Sequence, residues 1–252
     1  GNADYAVSRA GFFREELAAS LGSACPMIAI DGVVTHEASG RRASVLIYGV
    51  DERFWKFQNA PGLAPRGREI LLTAAVEREL RGEAGDAILI RVEKPSAIPL
   101  ESLHGRKEDL GKTIRLTLAG AAVREFSLKP QQGDVRAVMM PLARLQTDLN
   151  QEGRVNTILV ANGLGTPGAI EHILKDRYTL ADLGIQLRVL EKQHCLSLES
   201  DGALISDALA ERAQSGGNVP PMLEALVQSL SDKIELVQQS RGDNVAVGHL
   251  ED

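Results

Sequence analysis

Gly111-Lys112-Thr113 has the ending of a phosphate-cradling loop, in which glycine opens the backbone, lysine meets the phosphates and a hydroxyl holds magnesium. That chemistry needs an earlier glycine at position 106, where Arg106 stands, and Gly105 comes one residue too soon. The residues that follow read as a strand, whereas phosphate is held by the amides at the start of a helix. No nucleotide site is predicted there. Gly163-Leu164-Gly165-Thr166-Pro167-Gly168 is glycine-rich behind a predicted strand, and proline at 167 makes it a plain turn before a helix. Glu37-Ala38-Ser39-Gly40 lacks the first glycine of a nucleophile elbow. His36, His104, His172, His194 and His249 are isolated from one another, outside metal-ligand spacings, and read as solvent-facing or structurally bonded. Glu15-Glu16, Glu108-Asp109 and Glu251-Asp252 sit in polar contexts and read as solvated charge. No residue earns a catalytic, cofactor-binding or metal-binding role, and the expectation is a protein that is not an enzyme and carries no cofactor.

Cys25 and Cys195 match no metal spacing. A bridge between them needs a fold that brings them together in an oxidising compartment; two buried free thiols are the simpler expectation. Hydrophobic residues make up 44% of the 252, enough for a real core, and the net charge of −6 is spread along the chain. Such a balance gives no footprint for nucleic acid or an anionic membrane surface. The longest apolar runs, Met27 to Ile30 and Ala43 to Val50, fall far short of the roughly 18–20 residues that cross a bilayer. The chain opens on Gly1-Asn2-Ala3 without methionine or an apolar leader, which reads as the start of a trimmed piece.

The elements that would position any site follow from periodicity. Apolar residues at 13, 17 and 21 with a stop at Gly22 predict a helix. Met27 to Val34 and Ala43 to Val50, β-rich runs around the polar stretch 36–42, predict a hairpin. Asp51 to Phe57 gathers three of the nine aromatics and, with the Pro/Gly-rich stretch 60–67, reads as a loop at a domain junction. Then come a strand at 70–72, a helix at 73–80, a tight turn and a strand at 87–92, with further strands at 113–118 and 135–140 around a short apolar piece at 121–128. Beyond Pro141 the pattern predicts a helix at 142–149, a strand at 155–160, a helix at 169–178, strands at 185–190 and 195–199, and helices at 203–213 and 222–239. The last has a narrow apolar seam at 223, 226, 230, 234 and 237. The fold class is α+β with two subdomains. The stretch 91–109, with two prolines and dense mixed charge between two strands, is a long excursion that reads as a solvated loop, with contact with a partner chain as its functional option.

Several phrases in order then carry a resemblance. Tyr48-Gly49-Val50-Asp51-Glu52-Arg53-Phe54-Trp55 looks like the GVDERFW phrase of the periplasmic core domain of MacB/FtsX-like ABC-transporter permeases. Gly85-Asp86-Ala87-Ile88-Leu89-Ile90 resembles the strand that follows in that family, and the stretches 92–106 and 151–157 are similar to a subgroup of it. The likeness covers roughly residues 30 to 160 well and the remainder weakly; the tail 240–252 matches nothing in it. It implies a domain on the periplasmic side of the cell inner membrane, inserted between two transmembrane helices. It further implies a porter-like α/β part built from both chain ends, 1–50 and 141–252, the latter with a C-terminal stalk-like helix, and an inserted β-rich sabre-like part, 51–140.

The partners implied are a cytoplasmic ABC ATPase reached through the missing transmembrane part, a second permease copy, and a periplasmic adaptor or lipoprotein; nucleic acid is not among them. The work implied is mechanotransmission, with lipoproteins, peptides or antibiotics moved, or a cell-wall hydrolase regulated. Phe54, Trp55 and Phe57, with His104, Arg106 and Lys107, are the candidate partner or subdomain-junction surface, and for the three aromatics simple core burial is the equal alternative. The chain ends should lie near each other at one end of the domain. The alternatives are a free-standing periplasmic solute-binding or adaptor protein, which needs a deep apolar pocket between two lobes, and a hydrolase or transferase, which needs a cleft where two titrating groups meet.

Overall fold

The two β-rich runs around residues 36–42 pair with each other, as composition requires, but the first of them also belongs to a second sheet. The computed structural model describes residues 3–60, 62–93, 111–120, 126–128, 133–161, 166–190, 195–200, 235–239 and 245–248. In chain order the elements are β1 (Tyr5–Arg14), a 3₁₀ turn (Glu15–Leu21), β2 (Ala24–His36), β3 (Arg42–Val50), α1 (Glu52–Phe57), β4 (Glu69–Leu72) and α2 (Ala74–Leu80). They continue with β5 (Ala87–Glu93), β6 (Gly111–Leu118), β7 (Ala137–Pro141), α3 (Leu142–Leu149), β8 (Arg154–Val160) and α4 (Pro167–Arg177). A second 3₁₀ turn (Leu180–Leu183), β9 (Ile185–Leu190), β10 (Cys195–Ser200), β11 (Glu235–Gln239) and β12 (Val245–Gly248) follow. The architecture is α+β.

From Ile28 onward β2 pairs antiparallel with β3, β3 parallel with β7, β7 antiparallel with β4, β4 parallel with β6, and β6 antiparallel with β5. β5 then returns to pair with Gly32–His36 of β2. The order closes on itself, so six strands form a ring in which no strand is left as a free edge. Its interior is read off period 2: Ile88, Ile90 and Val92 of β5 and Ile114, Leu116 and Leu118 of β6 are buried, while Arg115 and Thr117 between them are exposed. β7 is buried at every position from Ala137 to Met140 because its outer face is covered too.

The other sheet is open and antiparallel. Ala24–Met27 of β2 pairs with β8, β8 with β1, β1 with β11, and β11 with β12. Phe13, Val155 and Ile158 belong to the same apolar cluster as Leu17 and Leu21 of the first 3₁₀ turn and Ile170 and Leu174 of α4. β9 and β10 form a separate hairpin. Tyr5 lies opposite Gln238, so the start of β1 and the end of β11 stand side by side.

Three expectations change. Phe13, Leu17 and Leu21 are all buried, as their spacing requires, but by a strand end and a 3₁₀ turn instead of one helix: Phe13 and Arg14 are held extended opposite Val155 and Arg154, and Gly22 at φ 63° ends the turn. Residues 52–57 are helical instead of a loop. Glu235–Gln239, expected to close a helix from 222, is a strand, because β1 offers it an edge to pair with; a tertiary partner overrides the local pattern. Residues 222–234, the predicted helix at 203–213, and 121–125 lie outside the described residues.

Gly32 stands where β5 joins β2, and a Cβ there would come within 2.8 Å of the Arg91 carbonyl and 2.3 Å of Ile47 Cδ1. Gly32→Ala is expected to cost about 1–3 kcal/mol by overpacking against backbone, measured by urea unfolding of the two proteins; equal midpoints would mean the ring opens there without strain.

Candidate functional site: the aromatic seam between the two sheets

The segment 51–57 is helical because Asp51 caps it. Its backbone is extended, its carboxylate accepts the Arg53 N–H at 2.8 Å, and Glu52 follows in the first turn, where the helix dipole favours an acid. The six-residue helix turns Phe54 and Trp55 to the same side, only 1% and 3% exposed. Both enter an apolar cluster fed by Ala6, Cys25 and Leu159 of the open sheet and by Leu46, Tyr48 and Met139 on the outer face of the ring. α1 thus covers the line along which the two sheets meet. Phe54 meets Trp55 edge to face at 5.3 Å and Phe126 at 5.0 Å, and Phe126 meets Tyr48 at 5.1 Å. Such pairs each add about 0.5–1.5 kcal/mol to the burial they accompany. The Tyr48 hydroxyl accepts the Leu128 N–H at 3.1 Å; burial pushes it up to about 12, against the pull of its bonds to Leu128 and Ser127. Cys25 is a buried free thiol, pushed up to about 12 chiefly by burial, with Asp51 raising it and Arg53 lowering it.

Phe54 and Trp55 are therefore buried in the cluster under α1, and Phe57 packs half-buried against it. His104, Arg106 and Lys107 lie outside the described residues.

Two polar groups to which sequence assigned no structural role tie the seam. β2 leaves β8 after Met27, and the Asn156 side chain bridges the gap: Ala29 N–H donates to its Oδ1 and its Nδ2 donates to Ala29 O, both at 2.8 Å. The amide stands in for one rung of a strand ladder. Glu15, read as solvated charge, is instead engaged at the corner after β1: Arg53 of α1 lies 3.5 Å from its Oε2, and Gln146 Nε2 of α3 donates to the same oxygen at 3.1 Å. The signal for Asn156 was a polar residue inside the apolar strand Val155 to Val160; Glu15 gave none.

On the far side of that corner Arg14 holds Asp182, whose side chain is fully buried, through Nε at 2.9 Å and Nη2 at 2.7 Å, and through its own amide at 2.9 Å. Thr179 N–H and hydroxyl donate to the same carboxylate, and Arg9 donates to the Asp182 and Leu183 carbonyls. Burial would push the Asp182 carboxyl up, but the Arg14 and Thr179 bonds together outweigh it and hold the group below its ordinary range.

Other candidates for chemistry resolve into structure. Lys112 lies in β6 and pairs with Asp148 at 3.2 Å. His36 Nδ1 is 2.7 Å from Ser39 Oγ, and its Nε2 lies 3.1 Å from Asp86 Oδ2 without the alignment of a hydrogen bond. His172 is exposed beside Asp176 on α4. Glycines 163, 165 and 168 do keep GxGxxG spacing, but β8 before them lies between the antiparallel strands β1 and β2, and the chain after α4 enters the β9–β10 hairpin, not a parallel strand. Among the described residues no group of three or more His, Cys, Asp or Glu could hold a metal ion, and no helix is long and apolar enough to cross a membrane.

The fold is thus an α+β domain in which a closed mixed ring grows from an open antiparallel sheet. No family model matches the sequence, and no curated protein matches it. Solved structures with which it shares a likeness include the extracellular domain of the noncanonical ABC-type transporter YknZ from Gram-positive bacteria, at 8% identity and TM-score 0.40, over 68% of this chain and 88% of that one. The periplasmic region of MacB from Actinobacillus actinomycetemcomitans is similar at 9% identity and TM-score 0.39, over 86% and 94%. A domain of a protein assigned as a permease, from Porphyromonas gingivalis, follows at 10% and 0.37, over 79% and 88%.

Asn156→Leu is expected to destabilise the fold by about 1–3 kcal/mol, because Ala29 loses both partners; an unchanged urea midpoint would mean the ladder does not need this rung. Asp182 lies lower in the folded than in the unfolded protein, so its stabilisation is present above the unfolded value and is lost as pH falls through the folded one. Asp182→Asn should therefore cost about 1.5–3 kcal/mol at neutral pH and flatten the acid limb of a stability–pH curve, measured by thermal unfolding between acid and neutral pH.

Proposed function

We propose that this chain is the extracytoplasmic domain of an ABC-transporter permease of the MacB/FtsX-like type, a binding and force-transmitting part without a catalytic site. One observation carries the reading: the open sheet is built from both ends of the chain, β1 beside β8 and β11, and the ring is inserted between them. The family's phrases at 48–55 and 85–90 lie on the ring and the helix that covers its seam, and the one at 151–157 runs into β8. In this reading the open sheet with α4 is the porter-like part and the ring is the sabre-like part. The strands at 28–50 close the ring, so the sabre-like part would hold 28–141 and not 51–140. The side-by-side placement of Tyr5 and Gln238 suits a domain carried between two membrane spans. ATP hydrolysis by a cytoplasmic partner would draw two permease copies together, and the open sheet would pass that movement to the ring as a rigid-body shift.

The test follows the complete natural protein in its own cells. Recovery in the inner membrane together with an ATP-binding subunit, with the 58–68 loop reached by a non-permeant reagent from outside, is expected. Recovery in the soluble periplasmic fraction with no ATPase would overturn the proposal in favour of a free-standing solute-binding or adaptor protein.

A further inference from the structure

We infer that α1 is a lid over the seam between ring and open sheet, latched by the Glu15–Arg53 ion pair. The argument begins with what α1 does not hold. The backbone N–H groups of Phe54, Gln58, Asn59 and Ala60 donate to Asp51, Phe54, Lys56 and Trp55, all within 51–60. The ladders of the ring and of the open sheet are complete without the helix. Lifting α1 therefore breaks no strand pairing; it uncovers the apolar seam and leaves ring and sheet joined through β2 and α3.

The seat is also less favourable than its apolar burial suggests. Trp55 Nε1 and Gln58 Nε2, one helical turn apart, are buried with no hydrogen-bond partner among the described residues. Unpaired buried donors oppose the seated state and find water when the helix lifts. The chain beyond α1 is suited to swing, since Asn59, Gly62 and Gly67 all hold positive φ, at 54°, 91° and 58°. Against these stands the tie from Arg53, itself fixed by Asp51 at 2.6 Å, to Glu15 at the corner of the open sheet. Glu15 is in turn held by Gln146 of α3, so the latch fastens the lid to both bodies it covers.

This inference does not depend on the membrane role and would stand for a free periplasmic protein. The chain contains its own reporters: Trp55 is the sole tryptophan, and Cys25 is a fully buried thiol in the cluster under α1. In the full chain with Cys195→Ser, the rate of Cys25 alkylation by iodoacetamide and the acrylamide quenching of Trp55 are measured for Glu15→Gln, for Arg53→Met and for the pair. Each single change should raise the Cys25 rate roughly two- to five-fold, as loss of a partly exposed ion pair allows, and the pair should add little more. In all of them the rate should be insensitive to low urea, as local opening is. If neither change raises the rate, or if Cys25 reacts only with the steep urea dependence of global unfolding, α1 is an ordinary core helix and the inference falls.

Discussion

One strand serves two sheets, and the remaining architecture depends on how it does so. A β-strand has two edges. β2 gives one of them to β3 from Ile28 to Thr35, while the other pairs with β8 over Ala24–Met27 and with β5 over Gly32–His36. Between those two partners lies a gap in which backbone groups would go unpaired, and an unpaired buried group costs about as much as a lost hydrogen bond. Asn156 fills the gap at Ala29 from β8, and at the far side of it Gly32, with no side chain, lets the β5 backbone come in close. The handover is thus chemical at one end and steric at the other.

From that handover follows the distribution of the core. Once β5 closes on β2, the ring has an interior that needs apolar residues at alternate positions and an outer face that needs covering only where the open sheet abuts it. β3 records both demands: Val45 and Ile47 fall in one apolar cluster, Leu46, Tyr48 and Val50 in the other. β6 records only the first, with Arg115 and Thr117 left to solvent. The covering piece is a six-residue helix that brings two large aromatics side by side into the cluster holding Leu46, Tyr48 and Val50.

The strength of the sequence signal varied with how local each element's cause is. The β4–α2–β5 unit was legible because a strand, a helix and a turn follow one another with their own periods. The 36–42 turn was legible because two β-rich runs flank it. α1 was read as a loop because six residues are too few for helical periodicity, although Asp51-Glu52 is a start signal of the right kind. β11 was misread because its pairing partner, β1, lies more than two hundred residues away in the chain, and nothing in its own residues announces that edge. The aromatic density at 51–57 was legible; that Phe54 and Trp55 face inward was not, since density alone does not give direction.

The polar residues that hold the seam were the least visible, and the reason is physical. Glu15, Asn156 and Asp182 have ordinary neighbours in sequence, and each acquires its role from a group more than thirty residues away: Arg53 for Glu15, Ala29 for Asn156, Arg14 for Asp182. Apolar burial tolerates exchange among residues of similar size, so it leaves a repeating pattern. A directional bond between one side chain and one distant backbone or charge leaves a single letter. That division of labour also describes how the molecule is joined: apolar surface presses ring and sheet together, while single-residue contacts, Glu15 with Arg53 and Asn156 with Ala29, tie particular positions at the seam.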